Sequence, residues 1–224
     1  MTDATAKPRI ALLAGATGLV GRELLSLLLE SRAYATVHAL VRRTSAHIDA
    51  TPRLKIHEVD FARRPLLPAA DDVFIALGTT IKVAGSKQAF RQVDFDFVVS
   101  VARNARAQGA RRLGVVSAIG ADPGSRVFYS RVKGEMEAEI VRLGYDSVVI
   151  AQPSFITGDR AALRQAPRPG ERWVARLLEP LGFLVPRDLR PIPAQAVAAV
   201  LLAAVLDAQP GMRVLKSGEM RTYL

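Results

Sequence analysis

Gly15-Ala16-Thr17-Gly18-Leu19-Val20-Gly21 stands between an apolar run at residues 9–14 and a helical pattern at 19–30. Each glycine meets a steric demand of a strand-to-helix turn that receives a dinucleotide. Gly15 makes the tight turn, Gly18 lets backbone approach a pyrophosphate, and Gly21 lets helix and strand lie close. Thr17, Leu19 and Val20 complete the loop. The helix behind it offers unpaired N–H groups and the positive end of its dipole to phosphate.

Outward from the loop, short runs rich in Val, Ile and Leu alternate with longer helical patterns. Strands are expected at 9–14, 36–41, 54–59, 72–77, 111–116, 147–151 and 212–216. Helices are expected at 19–30, with Leu24, Leu27 and Leu28 on one face, as one long amphipathic segment at 86–108, and at 127–143, stopped by Gly144. Uniformly apolar strands alternating with helices describe a parallel sheet covered on both faces, a doubly wound α/β fold. No repeat, low-complexity tract or linker divides the chain. Residues 1–224 are expected to form one domain, with a small substrate-cleft excursion at 159–193 that contains Pro167-Arg168-Pro169-Gly170.

Where an NAD-binding domain places an acid at the end of the second strand, to bond the ribose 2′-hydroxyl, this chain has Arg42-Arg43. Two guanidiniums suit the 2′-phosphate of NADP, so NADPH is expected rather than NAD. Asp60 and Phe61, past the third strand, stand where the adenine would lie. Leu77, Gly78 and Thr79, past the fourth, stand beside the cofactor, where a side chain larger than Gly78 would crowd it.

Tyr129 and Lys133 stand four apart on one helical face, and Ser117 ends the fifth strand at the carboxyl edge, where open α/β sheets bind ligands. A phenol ordinarily titrates near about 10, and a nearby ammonium and nicotinamide cation favour its phenolate. The three residues are expected to act together. Tyr129 exchanges a proton with a carbonyl or alcohol oxygen as hydride moves, Ser117 holds that oxygen, and Lys133 tunes the phenol and binds the nicotinamide ribose.

Composition excludes several alternatives. At 224 residues, 50% hydrophobic and 23% charged, the chain can bury one sizeable core. It has no Cys, which removes disulfides, thiolate metal sites and cysteine nucleophiles; His38, His47 and His57 lack metal-ligand spacing, so no metal is expected. The net charge of +10 invites a nucleic-acid reading, but only six of the 31 basic residues are Lys and the Arg are scattered, with no accompanying recognition motif, so no specific nucleic-acid partner is expected. Residues 1–8 carry no secretory pattern, and the longest apolar run, 196–206, is about half a membrane span. A cytoplasmic protein without a membrane span is expected.

Ser117-Ala118-Ile119-Gly120-Ala121-Asp122, Tyr129-Ser130-Arg131-Val132-Lys133-Gly134-Glu135 and Pro153-Ser154-Phe155-Ile156-Thr157-Gly158 resemble the atypical, extended-like branch of the short-chain dehydrogenase/reductase superfamily. The resemblance runs from Gly15 to about Leu206. It implies a seven-stranded Rossmann fold of order 3-2-1-4-5-6-7, NADPH as cofactor, Pro153, Phe155 and Ile156 along the nicotinamide, and Ser117, Tyr129 and Lys133 as the active-site triad. Two departures stand out: Asp94 occupies a position where many extended members carry Asn, and the substrate region is short.

The leading expectation is an NADPH-dependent oxidoreductase acting on a small carbonyl substrate. An NADPH-sensing regulatory binding protein and a nucleotide-sugar epimerase or dehydratase are the alternatives. Arg42-Arg43 and the short substrate region count against the last. The substrate cleft is expected between residues 122–128 and a segment carrying Phe155, Arg160, Arg164 and Trp173. Nothing in the residues fixes the oligomeric state, and a homodimer is compatible with the resemblance.

Overall fold

The computed structural model describes residues 8–42, 51–63, 66–158 and 186–223. Seven strands, β1 (Arg9–Ala14), β2 (Tyr34–Val41), β3 (Leu54–Glu58), β4 (Asp72–Ile75), β5 (Arg112–Val116), β6 (Ser147–Gln152) and β9 (Gly211–Lys216), form one sheet of order β3-β2-β1-β4-β5-β6-β9. Every pairing in it is parallel. This is the Rossmann order expected from the sequence; the seventh strand becomes β9 because β7 (Ile156–Thr157) and β8 (Ile192–Pro193) pair as a separate two-stranded ribbon.

Both sheet faces are covered, which is why the strands read as continuous apolar runs. Successive residues of a strand point to opposite faces. In β1, Ala11 and Leu13 join the core under α1 (Leu19–Glu30) and α6 (Ala194–Asp207), with Leu24, Leu28, Leu201 and Val205. Leu12 and Ala14 join the core under α4 (Val98–Ala107) and α5 (Phe128–Val141), with Val98, Ala102, Met136 and Ile140. Burying each such Leu is worth about 2 kcal/mol.

The helical pattern at 86–108 departs from its expected form. It is not one regular α-helix: α3 (Lys87–Arg91) leads into a π-helical turn (Gln92–Phe97) and then α4. A π turn widens the helix by one residue and rotates the facing of the residues beyond it. Asp94, inside this turn, is 1% exposed and paired across the fold, a tertiary demand that amphipathic periodicity does not carry. The short α2 (Ile81–Ala84) precedes α3, and α7 (Ser217–Met220) comes after β9.

Strand order reverses at β1 and β4, so the two chains leaving them diverge and open a crevice at their carboxyl ends. Close packing there depends on Gly21: a Cβ at that position would lie 1.9 Å from the Gly15 carbonyl oxygen. Gly21→Ala is therefore expected to displace the loop, lowering stability by about 1–3 kcal/mol or more. A thermal melt with and without dinucleotide checks this. An unchanged melting temperature with unchanged ligand stabilisation would show that the contact is not needed.

Candidate active site

The loop after β1 is shaped by backbone contacts. Gly15 adopts φ +95°, and a Cβ there would meet the Ala76 carbonyl group at 2.6 Å, so only glycine combines this turn with this approach. The Gly18 N–H donates to the Gly15 carbonyl at 3.0 Å. Gly18 is also the cap of α1, which has no capping side chain and no acid in its first turn. The leading N–H groups of α1 thus face the crevice without an internal anion, a fit for pyrophosphate. Gly18, Leu19 and Val20 line the crevice directly. Gly15 and Gly21 shape it from behind, and Thr17 is exposed beside it.

Ser117, Tyr129 and Lys133 line that same cleft, together with Leu77, Gly78, Thr79 and Asp94. Ser117 arrives one residue past β5, while Tyr129 and Lys133 come from the first turns of α5. Lys133 is deeply buried, and its Nζ lies 2.7 Å from Asp94 Oδ1. The second Asp94 oxygen accepts the Thr79 backbone N–H at 2.9 Å. Burial opposes the Lys133 charge, but Asp94, Tyr129 and Glu137 together outweigh it and hold the amine above the ordinary lysine value. A Cβ on Gly78 would sit 3.5 Å from Asp94 Oδ1 and 3.9 Å from Lys133 Nζ, so Gly78 keeps open the space above the ion pair. The Tyr129 ring tilts against Phe90, with ring centres 5.2 Å apart.

The Ser117 hydroxyl does not stand free. It donates to Glu137 Oε1, and the Gln152 amide donates to Oε1 and Oε2 of the same carboxylate at 3.0 and 2.9 Å. Burial raises Glu137 above the usual carboxylate range, although Ser117, Gln152 and Lys133 each pull it back. Glu137 and Gln152 join the candidate site without having been singled out by motif, and Asp94, noted in the sequence only as a departure from Asn, proves to be the partner of Lys133. Glu137 continues the spacing of Tyr129 and Lys133 by four, which could have flagged it; Gln152, at the end of β6, leaves no such signal.

The other expected cofactor contacts are distributed unevenly. Pro153 and Ile156 line the cleft, as does Ser154. Phe155 does not: it is 56% exposed, whereas its neighbour Ile156 packs against the core. Arg42 directly follows β2 and is exposed; Arg43 lies outside the described residues. Asp60 accepts the Ala62 N–H and sits 3.3 Å from Arg63. The Phe61 ring is buried and stacked on Phe97, so packing occupies the ring expected beside the adenine. Phe61 and Phe97 line a larger hollow of about 340 Å³ that shares no residue with the reactive cleft. His38 and His57 are hydrogen-bonded to each other at 2.8 Å, and His47 lies outside the described residues. So do Arg160, Arg164 and Trp173 of the expected substrate excursion. Residues 122–127 form the loop before α5 and Phe128 opens the helix; the loop lies so close to the helix that a Cβ on Gly134 would come within 2.2 Å of the Asp122 backbone.

A family model described as NAD(P)H-binding matches residues 15–208. The chain is 36% identical over 151 residues to the mitochondrial protein FMP52 of Eremothecium gossypii, covering 67% of each. It is 34% identical over 152 residues to FMP52 of Candida albicans, covering 65% of this chain and 66% of that one. The match thus spans about two thirds of those relatives. Among solved structures it is similar to the Bordetella bronchiseptica enzyme WbmH in complex with NAD+, with a TM-score of 0.71 at 16% identity over 95% of this chain and 77% of the other. It is also similar to a UDP-N-acetylglucosamine 4-epimerase from Methanobrevibacter ruminantium, with a TM-score of 0.69 at 13% identity over 94% and 77%. At these identities the likeness is one of fold. The cytoplasmic expectation is corrected by the relatives, which are named mitochondrial; the absence of a secretory pattern had no bearing on that compartment. Among the described residues, no helix is long and apolar enough to cross a membrane.

Proposed function

Because the chain belongs to the NAD(P)H-binding family, we propose that it is an NADPH-dependent oxidoreductase that reduces a small carbonyl compound, with Tyr129 as the proton donor. The observation that carries this reading is the meeting of Ser117, Tyr129 and the ion-paired Lys133 with the phosphate loop in one cleft. When bound, NADPH would supply the hydride that the carbonyl carbon takes up. Tyr129 gives its phenolic proton to the carbonyl oxygen as negative charge gathers there. Lys133, fixed by Asp94, presents an ammonium to the ribose and to the phenol. Gly78 keeps that space clear, and Pro153, Ser154 and Ile156 line the cleft.

The cofactor choice rests on Arg42 and Arg43. Replacing both (Arg42→Ala with Arg43→Ala) is expected to weaken NADPH binding by roughly ten- to a hundredfold, the value of one or two charge-assisted hydrogen bonds, while NADH binding changes little. Fluorescence titrations of both dinucleotides measure this. Equal losses for the two would remove the arginines from the 2′-phosphate.

The reaction itself is tested by following NADPH absorbance with a panel of small aldehydes and ketones. Cofactor that binds but is never consumed would favour the sensing protein over the reductase. The solved epimerases share 13–14% identity with this chain, which supports the fold and leaves their reaction with them.

A further inference from the structure

Glu137 is a half-buried titratable group beside the cleft for which the proposed reaction has no task. It stands on α5 one turn beyond Lys133 and two beyond Tyr129, on the same side of the helix. Its carboxylate reaches the carboxyl ends of two strands, taking the Ser117 hydroxyl from beyond β5 and the Gln152 amide from β6. The charge facing it is Lys133, whose ammonium is itself engaged by Asp94 from the π turn.

A serine hydroxyl has one proton and two acceptor lone pairs. When that proton is donated to an ionised Glu137, Ser117 can offer the cleft only lone pairs. It then suits an alcohol, which has a proton to donate, and not a carbonyl, which needs a donor. When Glu137 is protonated, its own O–H can donate to Ser117 Oγ, and the serine proton is free to turn toward a carbonyl oxygen.

We propose that Glu137 is a positioning residue that sets the direction of the Ser117 hydroxyl, matching the cleft to the carbonyl when protonated and to the alcohol when ionised. The inference rests on the reductase reading of the cleft. Hydride and the carbonyl carbon form the new C–H bond, the π pair moves to oxygen, and Tyr129 supplies the proton. Glu137 keeps its proton throughout and acts only through Ser117.

Burial sets the sign of the pH dependence. A carboxyl held above its usual range keeps its proton where an ordinary Glu has lost it, and releases it as pH rises through the raised value. Reduction should therefore weaken, and oxidation of the alcohol strengthen, across that step.

Glu137→Gln supplies a near-isosteric N–H donor that points the Ser117 hydroxyl into the cleft at every pH. The expected result is a reductive kcat/KM that loses this pH step and an oxidative kcat/KM lowered about tenfold, with NADPH affinity retained. Infrared difference spectra recorded across that pH step provide a readout independent of turnover. A protonated-carboxyl band is expected in the wild-type protein, absent in Glu137→Gln and shifted in Ser117→Ala.

Parallel pH profiles for Glu137→Gln and wild type, or no such band, would overturn the role of Glu137 while leaving the reductase reading intact. Wild-type protein that binds NADPH but turns over no carbonyl would sink the reductase reading instead, and the infrared band would still decide whether Glu137 and Ser117 share a proton.

Discussion

Tyr129→Phe is expected to lower kcat for carbonyl reduction by about 10²–10⁴-fold, the usual worth of a positioned general acid, with NADPH affinity changed by less than about twofold. The substitution removes one oxygen and keeps the ring. That ring packs on Phe90, next to the neighbouring Phe90–Phe128 contact, so the start of α5 should hold its place. The phenol acts only as charge develops on the carbonyl oxygen, so the loss should fall on kcat and leave binding alone. Stopped-flow turnover together with a cofactor titration separates the two. A variant as active as wild type would take Tyr129 out of the reaction.

Lys133→Met should have a different signature, because it removes one half of a buried ion pair. Lys133 and Asp94 side chains are 4% and 1% exposed and 2.7 Å apart. Losing the ammonium leaves the Asp94 carboxylate with the Thr79 N–H and no counter-charge. Breaking a buried pair in this way costs about 3–5 kcal/mol. Replacing both partners, Lys133→Met with Asp94→Leu, should recover much of that stability, since neither charge is then stranded. Turnover should stay lost in both variants, because the ammonium serving the ribose and the phenol is gone. Denaturant melts and turnover assays of the single and double variants form the check. A single variant as stable as wild type would show that Asp94 is satisfied without Lys133.

Much of the fold was legible because its signals are local. The bounds of β1 and α1 come from an apolar run, a glycine turn and a helical stripe, and the structure places them at Arg9–Ala14 and Leu19–Glu30, matching the pattern. The helix after Ser117 ends near Gly144, which adopts the left-handed φ of +72° expected of a helix stop. The π turn was not legible, since nothing in the polarity of residues 92–97 says that Asp94 must face inward to meet a lysine from α5.

The candidate site divides along the same line. Ser117, Tyr129 and Lys133 have sequence positions that force them to one sheet edge, so spacing and the strand pattern found them. The direction of the Ser117 hydroxyl depends on Glu137 and Gln152, brought in by packing from α5 and β6. The resemblance places Phe155 along the nicotinamide, and position past the third strand places Phe61 beside the adenine. Phe155 is exposed and off the cleft lining, and core stacking takes up the Phe61 ring.

Hydride transfer is tested most directly with NADPH deuterated at the transferring carbon, mixed with the protein and a panel of small carbonyl compounds and read by mass spectrometry of the products. Deuterium on the carbinol carbon of at least one product, lost in Tyr129→Phe, is the expected result. Bound NADPH that delivers deuterium to no compound in the panel would contradict a reductase and leave a dinucleotide-binding protein whose cleft does no chemistry on carbonyls.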